Sequence, residues 1–107
     1  MTLSRREFMI GTGVAMATPA LAHGDVHEVA IRNFGFEPEV LHLQAGEHVR
    51  FTNHDLAPHT ATANDHSWDT GTLNKGDSIE VMIGPDWTPD YYCTFHPQMK
   101  AQLVIKS

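Results

Sequence analysis

Apolar residues in this chain recur at every second position, a period that builds strands rather than amphipathic helices. Val29 and Ile31 alternate with Glu28, Ala30 and Arg32; Leu41 and Leu43 with His42 and Gln44; Val49 and Phe51 with Arg50 and Thr52. Ile79, Val81 and Ile83 repeat the pattern, as does the final run Ala101-Gln102-Leu103-Val104-Ile105-Lys106. Turn-forming residues separate these runs: Gly35 with Pro38, Gly46, Asn53 to Pro58, Asn74-Lys75-Gly76, and Gly84-Pro85-Asp86. No stretch carries an apolar stripe of period 3.6. Seven or eight short strands, each with one apolar face, predict an all-β Greek-key β-sandwich whose two inner faces make the core.

With 107 residues there is room for one domain. A hydrophobic fraction of 41% and a charged fraction of 19% suit a globular protein and exclude disordered or collagen-like chains. The net charge of -6 argues against a nucleic-acid partner, because binding of that kind rests on cationic neutralisation of phosphates. Residues 1–22 read differently from the rest. Arg5-Arg6 precedes a weakly apolar run from Ile10 to Ala17, and Ala20-Leu21-Ala22 offers small residues at a cleavage site. This is the pattern of a bacterial export signal of the twin-arginine (Tat) type, and its run is too short to span a bilayer. The expectation is a signal peptide over residues 1–22, cleaved after Ala22, and a periplasmic domain over residues 23–107 with no membrane span.

The chain has one cysteine and eight histidines. A lone cysteine in an exported protein makes no internal disulfide, which leaves an inert core thiol, an intermolecular bridge or a metal ligand. Its surroundings favour the last. Tyr92-Cys93-Thr94-Phe95-His96-Pro97-Gln98-Met99 spells Cys-x2-His-x2-Met, and Asn53-His54-Asp55-Leu56-Ala57-Pro58-His59 ends in a further histidine. A thiolate, two imidazoles and a thioether are soft donors that suit copper better than the oxygen-seeking Ca²⁺, Mg²⁺ or Mn²⁺. Three donors on one short loop can supply most of a coordination sphere, and Pro97 stiffens the bend between His96 and Met99.

These segments resemble the cupredoxins, the type 1 blue copper proteins, and within them the plastocyanin, pseudoazurin and amicyanin group, amicyanin most of all. Ile31-Arg32-Asn33-Phe34-Gly35-Phe36-Glu37-Pro38 is similar to the family's first strand and aromatic-Pro turn. Ala45-Gly46-Glu47-His48-Val49-Arg50-Phe51-Thr52-Asn53 is similar to the strand that leads to its first ligand, and Trp68-Asp69-Thr70-Gly71-Thr72-Leu73 to its Asp-x-Gly-x-Leu segment. The Cys-x2-His-x2-Met loop resembles the short amicyanin-type loop. The resemblance implies one type 1 copper per chain, with His59, Cys93, His96 and Met99 as ligands. It also implies that His96 emerges through an apolar patch, for which Phe95, Pro97 and Pro58 are candidates, and that Tyr92 lies near a second contact area. In short-loop members the exposed histidine often leaves the reduced metal and is protonated, so the reduction potential is expected to rise as pH falls.

Three departures stand out. Thr60 follows the first ligand where many members have an Asn that ties the ligand loops together, and its shorter side chain predicts a weaker tie. Pro89 has no N–H for a ladder, so pairing is expected from about Tyr91. Ala101 stands where Gly is common. The function implied is a monomeric periplasmic carrier of single electrons, not an enzyme, working between redox partners such as a c-type cytochrome or a periplasmic dehydrogenase. The alternative is copper sequestration, delivery or resistance. A multicopper enzyme is excluded by size. His27, His42, His48, His54 and His66 are expected to face solvent. His23, if it becomes the N-terminal residue, could chelate a second, weaker Cu(II) with help from His27.

Overall fold

The alternation resolves into eight strands in a computed structural model that describes residues 25–106. The signal segment and His23 lie outside the described residues. In chain order the strands are β1 (Val26–Arg32), β2 (Gly35–Glu37), β3 (Val40–Gln44), β4 (His48–Asn53), β5 (Thr62–Ala63), β6 (Ser78–Met82), β7 (Asp90–Tyr92) and β8 (Lys100–Lys106). They form two four-stranded sheets, ordered β2-β1-β4-β6 and β3-β8-β7-β5. The chain passes repeatedly from one sheet to the other, and among the described residues there is no helix. This is the expected all-β sandwich.

Two of the pairings are parallel, β1 with β4 and β3 with β8, and the rest are antiparallel. A parallel pair needs a crossover between its strands, and here each crossover passes through the opposite sheet. Alternation then sorts the side chains: Val29, Ile31, Val49, Phe51 and Leu103 are fully buried between the sheets, while Glu28, Arg50 and Glu80 meet as an ion-pair row on the outer face. Aromatic rings fill the middle of the core, with Tyr91 set edge-on to Phe36 and Phe51 and Trp68 stacked on Trp87. Trp68 also fixes its own depth by donating from its indole N–H to the carbonyl of Thr88 at 3.0 Å.

Pro89 has the effect its chemistry requires, though pairing begins one residue earlier than expected, with Asp90 opposite Gln102. The carbonyl of Pro89 still accepts from the N–H of Leu103. His42, His54 and His66 are exposed as expected, but His27 and His48 are not. These two are half-buried against carboxylates, His27 on Glu47 at 2.8 Å where β1 runs beside the start of β4, and His48 on Glu80 at 3.2 Å across the β4–β6 pair.

Candidate metal centre

The metal centre is built on two connections at one end of the sandwich. The first leaves β4 at Asn53, a fully buried residue whose side chain shapes the segment that follows. Its amide donates to the carbonyls of Ala57 and Leu73 and its oxygen accepts the N–H of Asp55. Each of these bonds satisfies a polar group that burial would otherwise leave unpaired. The folded-back loop delivers His59, also fully buried, to a two-way backbone bridge with Leu73 at 3.0 and 2.8 Å.

The second connection joins β7 to β8 and runs from Cys93 to Met99. It closes on itself: the N–H of Cys93 donates to the carbonyl of Met99, that of His96 to Cys93, and that of Met99 to His96. Cys93 is wholly buried, Met99 is buried at the far end of the loop, and His96 is half-buried.

Together the connections bring the donor atoms of His59, Cys93 and His96 within 4.8 Å of one another. The Cys93 sulfur lies 3.6 Å from Nδ1 of His59 and 3.7 Å from Nδ1 of His96. A first-row ion bound at about 2.0–2.3 Å to nitrogen and sulfur sets such pairs about 3.5–3.8 Å apart for tetrahedral to trigonal angles. The donor set therefore fits a copper ion in both chemistry and spacing. Met99 stands at the other end of the same closed loop, its carbonyl accepting the N–H of Cys93.

The far side of the His59 ring is equally constrained. Nε2 donates to Oδ2 of Asp55 at 2.8 Å, and a carboxylate accepts only, so Nδ1 is left with its lone pair turned toward the sulfur. Burial pushes the Asp55 carboxyl pKa up, but the N–H of Phe34, the His59 ring and the N–H of Asn33 outweigh it and hold the value below the ordinary one. The sulfur itself accepts the backbone N–H of Thr60 at 3.4 Å, a contact that withdraws charge from a thiolate.

The Thr60 hydroxyl ties the loops, accepting the N–H of Thr94 at 3.0 Å and lying 2.9 Å from the Thr62 hydroxyl. Two further residues escape the sequence reading, Asp55 and Phe34. The Phe34 ring stands perpendicular to both His59 and His96, with centroids 5.2 and 4.8 Å away. Of the residues expected near His96, Phe95, Pro97 and Pro58 are all exposed, and Leu56, at 85% exposure, adds apolar surface.

Comparison with known proteins agrees with this fold. The chain matches the sequence model of the cupredoxin-like domain over residues 8–105. In an alignment 105 positions long it is 28% identical to amicyanin-alpha of Methylorubrum extorquens, covering 84% of this chain and 88% of that one. Among solved structures it resembles a purple cupredoxin from Nitrosopumilus maritimus, with a TM-score of 0.68 at 23% identity over 75% of this chain and 99% of that one. A reduced amicyanin variant aligns with a TM-score of 0.65 at 26% identity, covering 76% of this chain and 82% of its own.

Proposed function

The chain belongs to the cupredoxin-like family, whose cofactor is copper, and on that premise we propose that it is a carrier of single electrons. His59, Cys93, His96 and Met99 are its ligands in this reading. The observation that carries it is the convergence of one sulfur and two ring nitrogens on a common point, held there by the protein's own hydrogen bonds.

Copper, when bound, supplies a one-electron couple between Cu(II) and Cu(I). The rest of the work falls to the chain. His59 and Cys93, both buried and hydrogen-bonded from behind, keep their part of the donor set in one arrangement, which limits the reorganisation that accompanies each transfer. The Cys93 sulfur, with the Thr60 N–H upon it, and the buried Met99 set the potential. Half-buried His96, with the exposed Phe34 ring edge-on to it and the exposed Phe95 and Pro97 beside it in the chain, gives the electron its way to a partner. The donor gives one electron and the acceptor takes one, and no substrate is bound or altered at the metal. We read the protein as a carrier rather than an enzyme, working as a monomer in the periplasm after removal of residues 1–22. Its partners are redox proteins such as a c-type cytochrome or a periplasmic dehydrogenase. No helix among the described residues is long and apolar enough to cross a membrane.

One equivalent of Cu(II) added to residues 23–107 is expected to give an intense thiolate-to-copper absorption with narrow EPR hyperfine splitting. Cys93→Ser is expected to abolish both. Electron exchange with a c-type cytochrome then separates a carrier from a protein that only sequesters or delivers copper. Colour without exchange would overturn the carrier reading.

A further inference from the structure

Phe34 occupies a position where a hairpin of this kind favours glycine. The connection between β1 and β2 is Asn33-Phe34, with φ of 52° and 56°, and Arg32 pairs with Gly35 across it. Positive φ at both central residues defines a type I′ turn, whose preferred pair is Asn-Gly. Asparagine tolerates the left-handed region, whereas a bulky aromatic is strained there and persists only where its surroundings hold it. Burial does not hold Phe34, which is 53% exposed. Asp55 does. Its Oδ1 accepts the N–H of Asn33 at 2.8 Å and its Oδ2 the N–H of Phe34 at 2.9 Å, the same Oδ2 that receives Nε2 of His59.

The consequence is the placement of one ring. Phe34 stands at 90° to His96 with centroids 4.8 Å apart and at 87° to His59. His59 has a carboxylate behind it, but no hydrogen bond from another described residue reaches Nε2 of His96, whose Nδ1 faces the sulfur. On its outer side the His96 ring is restrained by Phe34. We propose that Phe34 is a positioning residue of the metal centre: the Asp55-held turn sets its ring against His96, blocks the swing of that imidazole away from the Cys93 sulfur, and slows loss of the metal. This rests on His96 being a ligand.

The test uses Phe34→Gly, which restores the favoured Asn-Gly pair while removing the ring, and Phe34→Tyr, which keeps the ring. The metal-free Phe34→Gly protein is expected to melt at or above the wild-type temperature. A Cu(I) chelator is expected to strip its reduced form about two- to tenfold faster, the range an edge-to-face ring pair supports. Phe34→Tyr keeps the wild-type stripping rate. In the metal-free protein, NMR of the His96 ring is expected to show rotamer averaging in Phe34→Gly and a single rotamer in wild type. An unchanged stripping rate overturns the proposal. A lowered melting temperature together with faster stripping also overturns it, because Phe34 would then act as ordinary packing. If the wild-type protein takes up copper without colour, the functional reading fails, and the NMR measurement alone decides whether Phe34 restrains His96.

Discussion

His59 lies on a segment whose turns are tied to the body of the sandwich, whereas His96 lies on a loop tied mainly to itself. The first is wholly buried, bridged to Leu73 by two backbone bonds and backed by a carboxylate. The second is half-buried, its backbone bonded only to Cys93 and Met99 of the same loop. Both present Nδ1 to one sulfur at nearly equal distances, 3.6 and 3.7 Å. Equal geometry with unequal support means that one imidazole is fixed by the fold and the other by its immediate neighbours.

That contrast can be broken most directly by deleting each ring. His59→Gly and His96→Gly are both expected to lose the copper absorption. Imidazole added from solution is expected to restore it in His96→Gly only, because the other vacancy opens into the core; visible titration with imidazole reads the difference. Rescue of His59→Gly instead would show that the buried side is not closed. Next in size is Asp55→Ala, which removes the backing of His59 and the clamp on the Asn33-Phe34 turn at once. Denaturant unfolding of the metal-free protein is expected to show a loss of about 1.5–3 kcal/mol, the range for hydrogen bonds to a charged group. Copper affinity is expected to fall about 10–100-fold, as for other groups that orient a metal ligand. Thr60→Val removes the hydroxyl tie between the two loops and leaves the Thr94 N–H without its acceptor, while the Thr60 N–H to Cys93 remains, for an expected loss of about 1 kcal/mol by the same measurement.

The smallest effect belongs to a control outside both ligand loops. The Asp65 carboxyl is held down to about 2 by the Ser67 hydroxyl, the Thr88 hydroxyl and the Ser67 N–H. A depressed folded value contributes stability that is present above the unfolded value of about 4 and is lost as pH falls through about 2. The stability gap between wild type and Asp65→Asn is therefore expected to close over that window.

How far the sequence speaks depends on the range of the interaction. β1 and β4 were legible because each buries one face, so Val29, Ile31, Val49 and Phe51 mark the inside by alternation alone. β5 was not, since Thr62 and Ala63 are both buried and two residues carry no period. Cys93, His96 and Met99 stand out as candidate donors through their spacing on one loop, while His59 stands out as the histidine that ends the Asn53 to His59 segment and is matched to the first ligand position by the family resemblance. Asp55 and Phe34 gave no signal, because the bonds from the N–H groups of Asn33 and Phe34 to Asp55 span 22 and 21 residues and form only when the hairpin turn meets the first ligand loop. The pairing of His27 and His48 with glutamates was hidden for the same reason: their partners are chosen by strand register.

The His59–Cys93 pairing has a further consequence for the chain as a polymer. Those two residues are 34 apart, on loops that leave different sheets. With a single cysteine the chain makes no internal disulfide, yet an ion shared by these donors closes a loop of the same order as many disulfides do, and it does so reversibly. With His59 and Cys93 as ligands, loading the site would staple the two halves of the sandwich together, and the metal content of the protein would double as its cross-link.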